Sequence, residues 1–182
     1  MSKEKFSARR VVTRINEKGW SVIGIDGPAA ETIEFAFGGG LHEIWTDLAG
    51  PLDRKGSGDS GTGPIGLGPP SGGVKIRWFT VAPAPAGLSQ AEIEKQVAKA
   101  FHHIDGHHDQ PDVSRGPAMH LTPSIDVIVL VEGSVRLVLD EEETVLRAGD
   151  VVVQRGTNPA WICEGAEPAL LVAVLISKTF SA

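Results

Sequence analysis

The 182-residue sequence predicts an all-β domain that carries a single helix. Short apolar stretches alternate with turns rich in Gly, Pro and Asp along most of the chain, a pattern typical of antiparallel strands. Only one segment, residues 89–104, has apolar side chains at helical spacing. A chain of this length is expected to form one hydrophobic core and one domain.

The N-terminal third is predicted to consist of short strands separated by breaks at Asp26-Gly27-Pro28 and Gly38-Gly39-Gly40. These strands are expected at residues 10–14, 20–25, 33–37 and 41–46. Residues 50–73 contain nine glycines and four prolines. That composition buries little apolar surface, so we predict a mobile surface loop there. Strand character returns at residues 74–81.

The helix is predicted from a capping box, in which Ser89 is followed three residues later by Glu92. One apolar face follows: Ile93, Val97, Phe101 and Ile104. Gly106 is expected to end the helix, before a polar loop at residues 109–116. Beyond Met119, six short strands separated by Gly-bearing turns indicate a sandwich or barrel. They are expected at residues 127–131, 135–139, 144–146, 151–154, 160–163 and 169–176.

Charge and composition exclude several classes of partner. The 17 Lys and Arg against 23 Asp and Glu give a net charge of −6, so no basic face for nucleic acid is expected. No apolar stretch is long enough to cross a bilayer, so no membrane association is expected. Cys163 is the single cysteine, which suits a reducing compartment. We therefore expect a cytoplasmic protein.

Two segments carry the most specific pattern in the sequence. His120-Leu121-Thr122 is followed by Asp126 and Gly133, and the second segment, GDVVVQRGTNPAW, runs from residue 149 to 161. Together they resemble the paired motifs of the cupin superfamily. The resemblance implies a double-stranded β-helix, or jelly-roll barrel, formed by residues 119–178. Residues 1–118, with the loop and the helix, would pack on this barrel within one structural domain.

The resemblance also implies a metal site in which two histidines of the first motif, one carboxylate and one histidine of the second motif bind iron, manganese or zinc. This chain departs from that pattern, since Thr122 stands where the second histidine is usual and Pro159 where the last one is. His120 and Asp126 alone are fewer than the three protein ligands of a catalytic zinc site. We therefore predict no tightly bound metal and no other cofactor, with a divalent metal as the alternative.

Alternate residues of a strand face the same side, which would place His120, Thr122 and Asp126 inside the barrel. We predict a cavity that binds a small organic molecule, with Thr122, Gln154, Trp161 and Cys163 in its wall. Asp126 would raise the proton affinity of His120 and form an acid/base pair for metal-independent lyase, isomerase or decarboxylase chemistry.

Several alternatives stay open at this point. The chain could be a metal-dependent dioxygenase or decarboxylase, or a ligand-binding or regulatory protein without catalysis. His120, Trp161 and Cys163 could be ordinary core residues, and Asp126 could cap a turn.

Four further histidines lie together in the sequence HHIDGHHD: His102, His103, His107 and His108. We interpret them as solvated, with a swing of one of them toward the barrel mouth as the alternative. Because exposed strand edges of a small barrel are usually covered, we also expect a homodimer.

Overall fold

The fold is seen in a computed structural model that describes residues 6–36 and 38–180. The described residues form one six-stranded sheet, one three-stranded sheet, a two-stranded hairpin and one helix. The elements in chain order are β1 (Arg9–Ile15), β2 (Ser21–Pro28), β3 (Glu31–Glu34), β4 (Gly40–Asp47), β5 (Val74–Val81), α1 (Gln90–His103), β6 (Ser124–Glu132), β7 (Ser134–Val138), β8 (Glu143–Arg147), β9 (Val151–Arg155), β10 (Ala160–Cys163) and β11 (Ala169–Ser177).

The last six strands form a double-stranded β-helix. β6 lies between β9 and β11 in the six-stranded sheet, and β7 lies between β8 and β10 in the three-stranded sheet. Every pairing is antiparallel. The central β6–β7 hairpin is therefore flanked on one side by β9 and β8 and on the other by β11 and β10. The predicted jelly-roll barrel is confirmed by this pairing.

Strands from the N-terminal part extend the same barrel wall. The order of the larger sheet is β3-β4-β5-β11-β6-β9, and β5 pairs with β11 over eight residues. The sheet thus runs continuously across the boundary that the sequence suggests at residues 118 and 119. The division into two regions within one domain stays a prediction. β1 and β2 form a separate hairpin.

The main core lies between the two sheets. Ile128 and Leu130 of β6 and Leu171 of β11 pack with Val135 of β7, and all four are almost completely buried. A second cluster joins the helix to the barrel, where Val97 and Phe101 pack with Leu41 and Leu67. Burial of these side chains holds the helix on one end of the barrel.

The predicted helix is confirmed in type and in extent. Ser89 is its N-cap and Glu92 completes the capping box, because each side chain bonds to the backbone of the other residue. Ile104 is the C-cap. Among the described residues, no helix is both long and apolar enough to pass through a membrane.

Two sequence predictions about the N-terminal half are corrected by the structure. Asp26-Gly27-Pro28 does not break the chain but belongs to β2, where it pairs with residues 9–11 of β1. An ion pair between Arg9 and Asp26 (2.8 Å) joins the two strands there. β3 ends at Glu34, before the predicted end at Phe37, which lies outside the described residues.

Residues 50–73 form a loop, as predicted, but the loop is not confined to the surface. Leu67 is buried in the helix cluster, and its backbone N–H donates to the carbonyl of Ile104 (2.8 Å). Closer to the start of the loop, Asp59 forms an ion pair with the buried guanidinium of Arg10. The composition of the loop does not predict these two contacts, because both are made with residues outside the loop.

Candidate functional site

A cavity of about 400 Å³ lies inside the barrel, beneath the helix. Its apolar wall includes Phe79, Val97, Phe101, Ile128, Trp161 and Leu175. Its polar side chains include Arg77, His120, Thr122, Asp126 and Gln154. A mostly apolar cavity of roughly 300–1,000 Å³ with a few convergent polar groups is the usual form of a small-molecule site.

The structure places all six predicted site residues on this cavity: His120, Thr122, Asp126, Gln154, Trp161 and Cys163. His120 and Thr122 precede β6, which begins at Ser124, so they reach the cavity from the segment before the strand. Pro159 is fully buried, and it is not among the residues that line the cavity. The roles that the sequence suggested for the six residues stay predictions.

His120 presents a neutral imidazole to the cavity. Its Nδ1 lies 2.9 Å from the carbonyl oxygen of Ala118, and since a carbonyl can only accept, Nδ1 carries the proton. The ring packs at a tilt against Phe101, with 5.6 Å between centroids. Burial lowers the pKa of His120, while the Ala118 hydrogen bond and Asp109 oppose that change. Nε2 is then the atom that can accept a proton.

Asp126 lies beside two hydroxyl side chains at the start of β6. The hydroxyl oxygens of Thr122 and Ser124 lie 2.8 Å apart, so one of the two donates to the other. Burial raises the pKa of Asp126, opposed by Ser124 and Arg77. Its Oδ1 is buried and has no hydrogen-bond partner among the described residues.

Arg77 is the main site residue that the sequence reasoning missed. It lies on β5 opposite Glu43 of β4, and its Nη2 is 2.8 Å from a carboxylate oxygen of Glu43, with both side chains at least 96% buried. Its Nε, like Oδ1 of Asp126, is buried without a partner among the described residues. The only sequence signal was a cation at each of two alternate positions, Lys75 and Arg77, within an apolar strand.

The same cations hold the loop over the cavity. Arg77 donates to the carbonyl oxygens of Leu67 (3.1 Å) and Gly66 (2.6 Å), and Lys75 Nζ donates to Gly66 as well (2.8 Å). Burial first and Arg77 second lower the pKa of Lys75 to about 8. Glu43 opposes that change, while its own pKa is raised by burial. Leu67 is thereby fixed as part of the cavity wall.

The proposed influence of Asp126 on His120 stays a prediction. The carboxylate that acts on His120 is Asp109, which supports its protonated form, and the net effect of the surroundings is a lowered pKa. Asp126 is influenced instead by Ser124 and Arg77. The pKa of Asp126 is therefore raised and the pKa of His120 is lowered, so the two values lie closer together than those of a free carboxyl and a free imidazole.

The side chains at this site do not fit a resident metal ion. Within residues 6–36 and 38–180, no three His, Cys, Asp or Glu side chains are grouped closely enough to bind one. His120, Asp126 and Cys163 are the cavity residues of the ligand type, and they are not grouped closely enough to share an ion. Nδ1 of His120 is engaged with a backbone carbonyl, and Pro159 is buried outside the lining. We therefore derive no chemical step through a metal.

The second histidine cluster lies at the end of α1, where three rings are close. His102 stacks on His107 with 4.2 Å between centroids, and His107 lies 3.7 Å from His108. His102, His103 and His108 are exposed, and His107 is partly buried. None of the four lines the cavity, so the alternative in which one of them reaches the barrel mouth is not supported.

Trp161 and Cys163 extend along β10 toward the rim of the cavity. Trp161 meets Phe79 edge to face at 5.8 Å and joins the two sheets across the cavity. Cys163 is partly exposed, and its Sγ lies 3.2 Å from the carbonyl oxygen of Glu167. Trp161 thus serves both as wall and as packing, so the two sequence interpretations of that residue do not exclude each other.

Similar proteins were found at the level of sequence and of structure. No family model matches the chain. Phomopsin biosynthesis cluster protein C′ and protein D of Diaporthe leptostromiformis are each 54% identical to it over 44 residues. That stretch is 24% of this chain and 23% of each relative, so the match spans about a quarter of their length.

Solved structures with a similar course of the chain have low identity. A Salmonella typhimurium LT2 protein, which its description proposes as ethanolamine utilization protein Q, matches 96% of this chain and 100% of its own at 11% identity, with a TM-score of 0.44. A cupin 2 conserved barrel domain protein of Salinispora arenicola CNS-205 matches 80% of this chain and 81% of its own at 13% identity, with a TM-score of 0.40. A Klebsiella pneumoniae protein with a double-stranded β-helix domain matches 57% of this chain and 66% of its own at 16% identity, with a TM-score of 0.36.

The strand pairing, rather than these scores, decides the fold. The chain has a cupin-type barrel. Its cavity is bounded at one end by α1 and by the loop at residues 65–68, and its polar groups come from β5, β6, β9 and the segment before β6. The barrel fold forms the cavity, and the side chains that line it determine which molecules would fit there.

Proposed function

We propose that the barrel cavity binds a small organic molecule with an apolar body and a polar head that both donates and accepts hydrogen bonds. The observation that carries the proposal is a pair of buried atoms without a partner among the described residues, Oδ1 of Asp126 and Nε of Arg77, both of which belong to residues that line the cavity. A buried polar atom without a partner costs about 1–3 kcal/mol, so a ligand that satisfies both gains affinity and orientation.

The polar end of the cavity favours a neutral head over an anionic one. The charge of Arg77 is already matched by Glu43, and its Nη atoms are taken up by the loop carbonyls. A carboxylate ligand could accept from Arg77 Nε but would face the carboxylate of Asp126. A hydroxyl or a primary amide can donate to Asp126 and accept from Arg77 at once.

Titration calorimetry with three probes that share one ring tests this proposal. Benzyl alcohol, benzamide and benzoate differ only in the head group. At pH 7 we expect benzyl alcohol and benzamide to bind with millimolar Kd, and benzoate to bind at least about tenfold more weakly, equivalent to 1.4 kcal/mol. Absence of binding by all three would refute the cavity as a ligand site, and tighter binding of benzoate would refute the head-group preference alone.

A matched pair of variants separates recognition from general effects. Asp126→Leu removes the carboxylate and is expected to abolish the discrimination against benzoate. Glu141→Gln, on the exposed β7–β8 turn, removes a carboxylate far from the cavity and is expected to leave all three affinities unchanged.

A second candidate function is metal-independent proton transfer, as in an isomerase, lyase or decarboxylase. It is favoured by the neutral His120, whose Nε2 can accept a proton, and by Asp126, whose raised pKa suits a proton donor. The names of the two Diaporthe relatives, which refer to a biosynthesis cluster, are in keeping with an enzymatic role.

Deuterium exchange tests this second function without knowledge of the substrate. Phenylacetone carries acidic C–H bonds beside its carbonyl. Transfer of one such proton to His120 Nε2 leaves an enolate and an imidazolium, which exchanges its proton with D₂O and returns a deuteron to the carbon. We expect exchange in D₂O, followed by NMR, to be accelerated by the native protein and lost in His120→Gln. Equal exchange in the native protein and in that variant would contradict a catalytic role for His120.

A further inference from the structure

The outer face of the six-stranded sheet is apolar where solvent would require polar side chains. β5, β11, β6 and β9 lie side by side, and their outward residues align in three rows of four. The central row is Ile76, Val174, Val127 and Val153. We call the outward positions of residues 74–78, 125–129, 151–155 and 172–176 the outer apolar face.

This face breaks the usual alternation of an antiparallel sheet. A sheet with one wet side normally alternates apolar and polar side chains, whereas strands apolar on both faces are covered on both. Eleven of the twelve positions of the outer apolar face are apolar, and Arg155 at one corner is the exception. Val151 and Val153 are each 58% exposed, and the other positions on β6 and β11 are partly exposed.

The dimensions of the face suit the centre of a protein interface. Strand spacing of about 4.8 Å and same-face spacing of about 6.7 Å along each strand give roughly 400 Å² for three rows of four. That area lies within the ~300–600 Å² of the largest apolar patch on a typical soluble monomer, a patch that is often functional. It is about half of the ~800 Å² that each partner buries in a standard interface, and a polar rim would supply the rest.

We propose that the occupant of the outer apolar face is a second copy of this chain, packed face to face about a two-fold axis. The outer apolar face has no charge except Arg155, so it is complementary to itself. A two-fold axis parallel to the strands and centred on β6 sets Arg155 opposite Ile176 of the other copy, and one perpendicular to the strands sets it opposite Val151, so like charges do not meet. A partner recognised by charge would find nothing to bind in this face.

The N-terminal segment limits the interface on one side. The ring of Phe6 lies 5.5 Å from Trp78 and 5.2 Å from His42, so the β5 end of the outer apolar face is partly covered within the chain. The contact between copies is therefore expected to be centred on β6, β9 and β11. The unpaired edge of β9, the last strand of the sheet, would be shielded at the same time.

Light scattering coupled to size exclusion tests the proposal on the full chain. The native protein is expected to have a mass of about 38 kDa, twice 19.2 kDa. The double variant Val153→Glu, Val174→Glu should be monomeric at the same concentration. The control Val145→Glu, at a 45% exposed valine on β8 of the other sheet, should remain dimeric. A monomeric native chain, or a double variant that stays dimeric, would overturn the proposal.

Amide hydrogen exchange on the native chain keeps the proposal testable if the double variant does not fold. Exchange in β6, β9 and β11 is expected to slow as the protein concentration rises through the dissociation constant, whereas exchange in β7 and β8 should change less. Equal slowing in both sheets, or no slowing, would contradict the proposed face.

Discussion

The two faces of the six-stranded sheet differ in where their polar side chains lie. The inner face carries Lys75, Arg77, Asp126 and Gln154, all of which are buried beside the apolar core, whereas the outward positions of the four central strands are apolar except for Arg155. In most antiparallel sheets the polar side chains lie on the exposed side. Burial of these groups costs free energy that an apolar inner face would not incur.

The comparison also shows how the inner charges are tolerated. Arg77 pairs with Glu43 and with two loop carbonyls, while the pKa of Asp126 is lowered by Ser124 and Arg77 only against the larger effect of burial. The matched pair is a structural part of the barrel, and the unpartnered atoms of Arg77 and Asp126 are the ones that we propose for ligand recognition. The polar inner face therefore divides into a paired part and an open part.

Removal of one partner of the buried ion pair is expected to have the largest effect. Arg77→Met leaves Glu43 charged and unpaired and frees the loop carbonyls, so we expect the free energy of unfolding to fall by about 3–5 kcal/mol. Urea denaturation measures the loss. The double variant Arg77→Met, Glu43→Leu should recover a large part of it.

An exposed arginine is the control for that experiment. Arg136 forms ion pairs with Glu143 (3.2 Å) and Glu164 (2.9 Å) on the surface of the three-stranded sheet. Arg136→Met should cost a small fraction of what Arg77→Met costs, because exposed pairs are solvated and screened. Equal losses in the two variants would show that the buried Arg77–Glu43 pair contributes no more to the free energy of unfolding than the exposed pairs of Arg136.

A matched pair of valine substitutions sharpens the contrast between core and outer face. Val135 is fully buried between the sheets, so Val135→Thr places an unpaired hydroxyl in the core and should cost about 1–3 kcal/mol. Val174→Thr on the outer apolar face should cost clearly less at concentrations where the chain is monomeric. Urea midpoints give both values, and the reverse order would mean that the outer apolar face is covered within one chain.

The titration of Asp126 has the smallest expected effect on stability, and as the pH rises replacement of this residue should stabilise the protein rather than destabilise it. Since its pKa is raised in the folded state, the folded state holds that proton more tightly, and the native protein loses stability as the pH rises above the ordinary value of 3.8. Asp126→Asn removes this loss, so the stability of the variant relative to the native protein should rise between pH 4 and pH 7, by less than any of the changes above. Urea midpoints between pH 4 and 8 test it, with Glu141→Gln as the control. A variant less stable at pH 7 than at pH 4, relative to the native chain, would contradict the raised pKa.

Features encoded by neighbouring residues were predicted well from the sequence. Ser89 and Glu92 are three residues apart and fix the start of the helix by direct hydrogen bonds. The bounds of β5 and β10 matched because Pro and Gly follow or precede each apolar run. His120, Asp126 and Gln154 were found through the spacing of a motif that places all three on the cavity.

Features that depend on distant pairing were missed. Arg77 gained its significance from Glu43, thirty-four positions away, and their register on β4 and β5 includes a bulge that no local pattern reveals. Asp26-Gly27-Pro28 resembles a turn, but its pairing with β1 keeps it extended. The carboxylate beside His120 is Asp109, which comes from a loop whose path only the folded chain defines.

The loop at residues 65–68 is attached by its backbone, since Lys75 and Arg77 bind the carbonyl oxygens of Gly66 and Leu67 rather than any side chain of the loop. Every amino acid presents the same carbonyl. The side chains of this segment can therefore vary between related proteins while the anchoring persists, and a new residue at position 67 would reshape the cavity without loosening its cover. In this barrel, a change of ligand preference requires no change in the strands that hold the charges.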